Sequence, residues 1–494
     1  MEALSSSSFR HPQLLQVPSL NIRANVKRRP QPMIKANIFK KHLEYSTILN
    51  KLDDFISTFL DLAPPPEHRS RTYCLDGAYV RKGPNPQFVV TEGRRRPYHL
   101  FDGDGMLHMI RISGGKATTF CSRYVKTHKH TVERENGSPF VPSPFSSFNG
   151  IASSISRCML TAARVLTGQF DPLNKGFGAA NTSVALLPGG GGGAANLFAL
   201  SECDLPYEIK VTEKGDIVTL GRHDFHNNNN NNHNRPLLSF NMTAHRRIDP
   251  EGRKQKDVHV HSLKGCTIIH DFSVTENFCV FVDTQIVVNP LWVLRGSRPP
   301  VGVDRTKVPR VGVIGKYAED DSGMWWTEAP GLNMFHSVNA WEEDGGGGTT
   351  IVAVVSNALR VEELFESIGL AQLRLEKITI DVNAHTVHRQ PLCTKFLDFG
   401  VINPAYAACY EKQGRRAYID GIVKLYLSLT QKDGHDECVV ASRLYGTGCC
   451  GGEPFFVSKE PNKPSVEEDD GYLVAFVTDE NNRESKFVVM DAKS

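Results

Sequence analysis

The sequence has 494 residues, of which 40% are hydrophobic and 22% are charged, so a folded core is expected and a wholly disordered chain is excluded. It contains no uninterrupted apolar run long enough for a membrane-spanning helix. The formal net charge of +3 is concentrated at the N-terminus, which leaves the remainder slightly acidic and excludes the broad basic surface of a nucleic-acid-binding protein.

The N-terminal segment has the composition of a targeting sequence. Residues 1–36 are rich in serine and arginine and almost free of acidic side chains, as the run Ser5–Ser8 and the cluster Lys27–Arg29 illustrate. Such a segment is typical of a disordered organelle transit peptide. The alternative is a disordered basic tail without a targeting role. We predict a transit peptide over 1–36 and one folded domain over 37–494.

Two segments carry apolar residues at the three- and four-residue spacing of an amphipathic helix. The first, near 49–62, includes Leu52 and Phe55, and the second, near 146–167, includes Met159. Such a helix either inserts into one membrane leaflet or covers apolar surface of the folded domain. We favour the covering role for 49–62 and leave both roles open for 146–167.

Most of the remaining chain consists of short apolar or alternating runs separated by turn residues. His108–Ser113 and Ala117–Val125, for example, flank Gly114-Gly115. This pattern predicts an all-β sandwich, barrel or propeller. The length favours a propeller, because each four-stranded blade uses about 40–50 residues. The eleven cysteines lack the spacing of a zinc site, so free thiols in a reducing compartment are expected.

Three of the eighteen histidines, His245, His270 and His336, stand beside apolar, strand-like runs. A buried neutral imidazole in such a place can bind a divalent transition metal. Their spacing matches no compact metal motif, so from the residues alone the alternative of three separate core histidines stays open.

Several further motifs carry a resemblance to a known family. They are Gly77-Ala-Tyr-Val-Arg-Lys-Gly-Pro-Asn-Pro86, Phe101-Asp-Gly-Asp-Gly-Met-Leu-His108, Ala180-Asn-Thr-Ser183, Ser201-Glu-Cys-Asp-Leu-Pro-Tyr207 and Gly451-Gly-Glu-Pro-Phe-Phe456. With the three histidine segments, they resemble the carotenoid cleavage dioxygenases, a family that also includes epoxycarotenoid dioxygenases and retinal pigment isomerases. The run Leu397-Asp-Phe-Gly-Val-Ile-Asn-Pro-Ala-Tyr406 is most similar to the plastid class-four enzymes.

The resemblance implies a fold and a site. The fold is an all-β, seven-bladed β-propeller with a helical cap. Because the final blade edge of relatives has no counterpart before Ser494, we expect this chain to be incomplete at the closing blade. Iron, as Fe(2+), is held by histidines, and carboxylates accept hydrogen bonds from some of the ligand imidazoles. Carried across residue by residue, the metal ligands are His245, His270 and His336, and the acidic partners are Glu202, Asp398 and Glu453.

The resemblance also implies an activity. Both atoms of O₂ are inserted across one double bond of a carotenoid, at a 9,10-type position, which gives two apocarotenoid carbonyl products. The implied partners are the carotenoid and O₂, with no nucleic acid. The implied location is the plastid (chloroplast), with peripheral association with a plastid membrane or lipid bodies.

Two departures from the family raise an alternative. His245 and His270 are only 25 residues apart, which we expect to be too little chain for two ligands from neighbouring blades. A fourth iron histidine, in a Phe-His-Gly setting, has no counterpart before Ser494. These departures predict little or no cleavage activity. The alternative function is therefore an inactive truncated paralogue or splice product that acts as a carotenoid- or lipid-associated plastid protein.

Overall fold

A computed structural model gives the architecture. It describes residues 55–60, 76–88, 99–148, 151–187, 196–225, 245, 258–263, 265–295, 299–345, 348–366, 368–402, 413–418, 421–426, 438–459, 467–479 and 481–493. The predicted transit peptide, 1–36, lies outside these residues.

Antiparallel strands dominate the described residues and group into sheets of strands that lie near one another in the chain. Sheet 1 contains β1 (Phe55–Leu60), β2 (Gly77–Asn85), β3 (Asp104–Ser113) and β4 (Lys116–Tyr124). Sheet 2 contains β5 (Ser183–Leu187), β6 (Asn196–Leu200), β7 (Tyr207–Val211) and β8 (Ile217–Arg222). Each follows chain order across the sheet.

Sheet 3 has the order β14-β13-β10-β9 and carries a small separate β11-β12 pair between its strands. The bounds are β9 (Ser273–Val274), β10 (Phe278–Asp283), β11 (Ile286–Val288), β12 (Val301–Val303), β13 (Arg310–Gly315) and β14 (Trp325–Glu328).

Sheets 4 and 5 again follow chain order, and in sheet 6 the central β25 pairs with β23, β24 and β26. Sheet 4 contains β15 (Met334–Gly345), β16 (Gly348–Ala358), β17 (Leu373–Asp381) and β18 (Thr386–Phe396). Sheet 5 contains β19 (Asp398–Val401), β20 (Gln413–Tyr418), β21 (Gly421–Tyr426) and β22 (Val439–Leu444). Sheet 6 contains β23 (Cys449–Gly451), β24 (Phe455–Ser458), β25 (Gly471–Asp479) and β26 (Glu484–Asp491).

The hairpin between β3 and β4 shows how the sequence specifies these units. Gly114 and Gly115 both have positive φ, 58° and 71°, as the tight turn of a twisted antiparallel hairpin requires. The alternating runs on either side pair along both strands, with one register shift between Arg111 and Ile112. The two strand-like runs separated by turn residues at this place are confirmed, and they form a hairpin.

Neighbouring sheets pack through buried apolar clusters. Sheet 1 packs on sheet 2, sheet 3 on sheet 4, sheet 4 on sheet 5 and sheet 5 on sheet 6. The leading strands also contact one another, β1 with β5, β9 with β15 and β15 with β19. Sheets that pack in succession around their leading strands form a propeller-like, all-β fold.

Sheet 6 packs back onto sheet 1. Tyr79 of β2 shares a buried cluster with Val474 and Phe476 of β25, and the rings of Tyr79 and Phe476 are 5.6 Å apart. We expected an opening at the last blade, but the described residues join the first and last sheets there. Their complementary apolar faces account for the contact.

Helices are few and short in the described residues. They are α1 (His128–Asn136), α2 (Ile151–Leu166), α3 (Pro172–Lys175), α4 (Leu291–Leu294), α5 (Glu363–Glu366) and a 3₁₀ turn (Ile368–Leu370). None of these described helices has both the length and the apolar character needed to cross a bilayer.

The helix predicted near 146–167 is confirmed, and the helix predicted near 49–62 is wrong for the residues that the structure describes there. Helix α2 occupies 151–166, within the predicted 146–167. The predicted helix near 49–62 is instead strand β1 over Phe55–Leu60, and its other residues lie outside the described ones. The run Phe-Ile-Ser-Thr-Phe-Leu is rich in aromatic and β-branched residues, which favour strands. Pairing with β2 therefore overrode the helical spacing.

Candidate metal centre

The three predicted histidines converge on one point. His336 lies on β15 between two register irregularities of the β15–β16 ladder, and such bulges re-aim a side chain. His270 precedes β9. The Nε2 atom of His270 is 3.2 Å from Nε2 of His245 and 3.3 Å from Nε2 of His336. The expectation that 25 residues are too few to bring His245 and His270 together is wrong, because the two rings meet directly.

These nitrogens have the spacing of ligands of one metal ion. One ligand nitrogen from each histidine lies within 4.8 Å of the other two. Imidazole nitrogens about 2.1 Å from a shared metal, at angles near 100°, are about 3.2 Å apart. A cation between them also removes the repulsion of lone pairs that point toward one another. The residues therefore fit a divalent transition metal with positions left open for other ligands.

Glu202 fixes the ring of His270. The Nδ1 atom of His270 donates to Oε1 of Glu202 at 2.5 Å, and the hydroxyl of Thr182 donates to the other carboxylate oxygen at 3.0 Å. Burial alone would raise the pKa of Glu202, but the adjacent His270 outweighs it and holds the pKa below its usual value. Burial would lower the pKa of His270, yet Glu202 raises it overall. The pair leaves Nε2 of His270 to face the other imidazoles.

Asp398 does the same for His336. The Nδ1 atom of His336 donates to Oδ1 of Asp398 at 2.7 Å, across 62 residues of chain. Burial would raise the pKa of this carboxyl, but the charge and hydrogen bond of His336 hold it below its usual value. Phe399, the next residue, has φ of +51°, an uncommon backbone conformation outside glycine, at the irregularity between β19 and β20.

Aromatic rings surround the imidazoles. Phe335 stacks on His270 with ring centroids 4.5 Å apart, and Phe399 lies 5.1 Å from His336. Phe101 is 6.3 Å from Phe335 and 5.9 Å from Phe145. Such rings exclude water and offer an extended apolar surface beside the nitrogens.

Sequence reasoning missed one acidic residue of the site. Asp271 is buried, and its Oδ2 lies 3.8 Å from Nδ1 of His245. The only signal in the sequence is its position directly after His270.

The third predicted acid, Glu453, lies between β23 and β24. Its backbone carbonyl accepts a hydrogen bond from the Tyr79 hydroxyl at 3.5 Å, a contact between sheets 6 and 1. A role for its carboxylate toward an imidazole stays a prediction.

Comparison with known proteins places the chain among relatives. The family profile described as RPE65, retinal pigment epithelial membrane protein, matches residues 73–494. A probable carotenoid cleavage dioxygenase 4, chloroplastic, of Arabidopsis thaliana is 44% identical over 90% of this chain and 76% of the relative. A zeaxanthin 7,8(7′,8′)-cleavage dioxygenase, chromoplastic, of Crocus sativus is 40% identical over 66% of this chain and 91% of the relative.

Solved structures share the fold. A cobalt-substituted Synechocystis ACO has a TM-score of 0.64 at 20% identity and covers 91% of this chain and 94% of its own. A lignostilbene dioxygenase of Pseudomonas brassicacearum has a TM-score of 0.65 at 20% identity and covers 90% of each chain. With a profile match over most of its length and relatives of this identity, the chain belongs to the family of carotenoid cleavage dioxygenases and retinal pigment epithelial membrane proteins, whose carotenoid-cleaving members are enzymes.

Proposed function

We propose that this chain is a non-haem Fe(II) dioxygenase that cleaves one double bond of a carotenoid into apocarotenoid carbonyl products. The observation that carries the proposal is the meeting of His245, His270 and His336 through their Nε2 atoms. Glu202 and Asp398 select that nitrogen in two of the three rings. Bound Fe(II) would supply the activation of O₂ beside the substrate.

The protein's own share of the reaction is to hold and orient. The carboxylates fix the rings so that the ligand nitrogens need little reorganisation when metal arrives. Phe335 and Phe399, at the imidazoles, exclude water and contact the polyene. An apolar substrate held beside the centre gains from fixed orientation, which replaces a random encounter.

We propose that the double bond that is cleaved is at a 9,10-type position of the carotenoid. Relatives support more than one position, because a Crocus sativus relative at 31% identity is named a carotenoid 9,10(9′,10′)-cleavage dioxygenase. The 40% identical relative is named for 7,8(7′,8′) cleavage. Product masses distinguish the two positions directly.

The complete fold that we propose is a seven-bladed propeller with a helical cap. Six four-stranded sheets and the β11-β12 pair among the described residues, together with the likeness to solved relatives, support it. A crystal structure of residues 37–494 that contained a different number of blades would overturn this count.

The plastid is the proposed location, and 1–36 the proposed transit peptide. Relatives named chloroplastic support this reading, as does the composition of the segment. A fluorescent protein fused behind residues 1–36 should enter chloroplasts, whereas cytosolic fluorescence would contradict the assignment.

We propose that the protein associates peripherally with the plastid membrane or with lipid bodies, and that helix α2 makes the contact. Met159 and Leu166 on this helix are 68% and 87% exposed, although apolar residues on a covering helix would be buried. An apolar face in contact with water fits a lipid surface.

The assay of function uses residues 37–494 loaded anaerobically with Fe(II). We expect one O₂ consumed for each carotenoid cleaved and two carbonyl products identified by mass spectrometry. His336→Ala should abolish turnover because it removes one of three ligands. Iron bound stoichiometrically without turnover would instead support the non-catalytic alternative, which the convergence of the three imidazoles does not favour.

A further inference from the structure

A single buried carboxylate connects the segments that carry His270 and His336. Asp271 is 3% exposed and follows His270 directly. Its Oδ1 accepts a hydrogen bond from the backbone N–H of Phe272 at 2.8 Å. Its Oδ2 accepts one from the backbone N–H of Ser337 at 2.7 Å. The carboxylate therefore joins the residue after one proposed ligand to the residue after another.

The backbone N–H of Ser337 donates to this carboxylate at an irregular part of the sheet. The β15–β16 ladder shifts register on both sides of His336 and Ser337, and a bulge interrupts regular pairing. A buried N–H without an acceptor costs stability, and Asp271 supplies the acceptor. The Oγ atoms of Ser273 and Ser337, 2.7 Å apart, form a second tie between the same segments. Two ties within three residues fix the distance between His270 and His336.

The same carboxylate faces the third imidazole. Oδ2 of Asp271 lies 3.8 Å from Nδ1 of His245, which is too long for a hydrogen bond but close enough for charge to act in a buried site. A negative charge there favours the proton on Nδ1 and leaves Nε2 as the metal-facing atom. Asp271 thus bears on all three rings.

From these contacts, we propose that Asp271 is a positioning residue, which sets the relative placement of the three imidazoles without touching the metal. The inference rests on the proposed function, since it takes His245, His270 and His336 as ligands. It assigns to Asp271 a part of the metal affinity that Glu202 and Asp398 do not provide.

The test measures Co²⁺ binding to metal-free protein by its visible absorption and by calorimetry, beside the melting temperature of the metal-free protein. Asp271→Ala removes both the acceptor for Ser337 and the charge, so we expect Co²⁺ affinity to fall about 10- to 100-fold. Asp271→Asn keeps an acceptor oxygen and loses the charge, and we expect a loss of about three- to tenfold. The absorption bands of both variants should shift, because the nitrogens are no longer equally placed.

Glu342 is the matched control. Its carboxylate also ties the β9–β10 region to β15, accepting from the Asn277 backbone N–H at 2.7 Å and from the Thr275 hydroxyl, but it lies six residues beyond His336. Glu342→Ala should lower the melting temperature and leave Co²⁺ affinity within about twofold of wild type.

Four results would contradict the positioning role of Asp271. Wild-type-like affinity in folded Asp271→Ala, or equal losses in Asp271→Ala and Glu342→Ala, would overturn the positioning role alone. If Asp271→Ala does not fold, Asp271→Asn decides, and unchanged affinity there overturns the role. Failure of the wild-type protein to bind Co²⁺ would instead remove the proposed metal centre, and this inference with it.

Discussion

At the scale of single residues, the centre depends on which imidazole nitrogen carries a proton. A neutral imidazole has one N–H and one lone pair, and a carboxylate beside Nδ1 keeps the proton there. Glu202 and Asp398 do this for His270 and His336. Both acids come from sheets other than that of the histidine they orient, so tertiary packing and not local sequence sets the tautomers.

Removing Asp398 should weaken metal binding more than it weakens the fold. Asp398→Ala leaves Nδ1 of His336 without its 2.7 Å acceptor, so we expect Co²⁺ affinity to fall about 10- to 100-fold. Titration of metal-free protein followed by visible absorption measures the change. Asp381→Ala, which alters an exposed turn capped by that residue, is the control and should bind Co²⁺ as wild type does. Equal affinity in all three proteins would contradict the role of Asp398.

Asp102 should make stability depend on pH. It is buried, its Oδ1 accepts from the Phe145 backbone N–H at 3.3 Å, and burial raises its pKa from 3.8 to about 6. The folded protein therefore holds this proton more tightly than the unfolded chain does. The sign follows: the stability that this group contributes is complete below pH 3.8 and is lost as the pH rises through about 6, a loss of about 3 kcal/mol.

Asp102→Asn removes that titration and keeps an acceptor for Phe145. The free energy of unfolding of the variant minus that of wild type should increase by about 2 kcal/mol between pH 4 and pH 7, because Asp102 of the unfolded chain is already partly ionised at pH 4. Urea unfolding at each pH measures it, and comparing the two proteins cancels every other titrating group. A difference that stays constant over this range would show that Asp102 is ionised in the folded protein throughout.

At the scale of elements, local patterns predict strands and turns where two neighbouring runs specify each other. The β3–β4 hairpin follows from the alternation of apolar and polar residues on either side of Gly114-Gly115, because the two runs pair with each other across that turn. Strand β1 could not be predicted, because its helical spacing is a local signal and its partner β2 lies about twenty residues away. The bulges that aim His336 have no sequence signature either, since they arise where β15 meets β16 and Asp271 together.

The exposed face of α2 should bind lipid. Met159 and Leu160 are 68% and 50% exposed, so charges placed there oppose burial in a bilayer without disturbing a core. We expect Met159→Glu combined with Leu160→Glu to lower the fraction bound to phosphatidylcholine–phosphatidylglycerol vesicles about tenfold in sedimentation.

Leu444→Glu is the control for that experiment. Leu444 is 74% exposed at the end of edge strand β22, so it has similar chemistry on a different element. Its variant should sediment with vesicles as wild type does, and all proteins should melt within a few degrees of one another. A loss of binding in Leu444→Glu equal to that of the α2 variant would mean that α2 is not the contacting surface.

At the scale of the whole molecule, the candidate centre exists only when separate sheets are assembled. Glu202 follows β6 of sheet 2, His270 leads into sheet 3, His336 lies in sheet 4 and Asp398 begins sheet 5. These residues were predicted as one site from the resemblance to a family. The spacing of the histidines alone left open the alternative of three separate core histidines. The reason is physical, since the contacts that orient His270 and His336 span more than sixty residues of chain and no local period encodes them.

The junction of sheets 6 and 1 should stabilise the whole ring and not only those two sheets. Phe476 of β25 packs on Tyr79 at 5.6 Å and on Phe487 at 5.4 Å, and the Arg81 guanidinium lies 4.6 Å from its ring. Phe476→Ala should lower the free energy of unfolding by about 3–5 kcal/mol. Phe396→Ala, at a ring that is 38% exposed on β18, should cost about 1 kcal/mol, because less apolar surface is lost.

Tryptophan fluorescence makes that prediction a test of cooperativity. The four tryptophans of the chain are Trp292, Trp325, Trp326 and Trp341, all outside sheets 1 and 6. If the ring unfolds as one unit, Phe476→Ala lowers the urea midpoint by fluorescence as much as by circular dichroism, although no tryptophan lies at the altered junction. If the fluorescence midpoint stays at the wild-type value while circular dichroism reports an earlier loss of strand, sheets 3 and 4 hold without the junction and the ring is not cooperative.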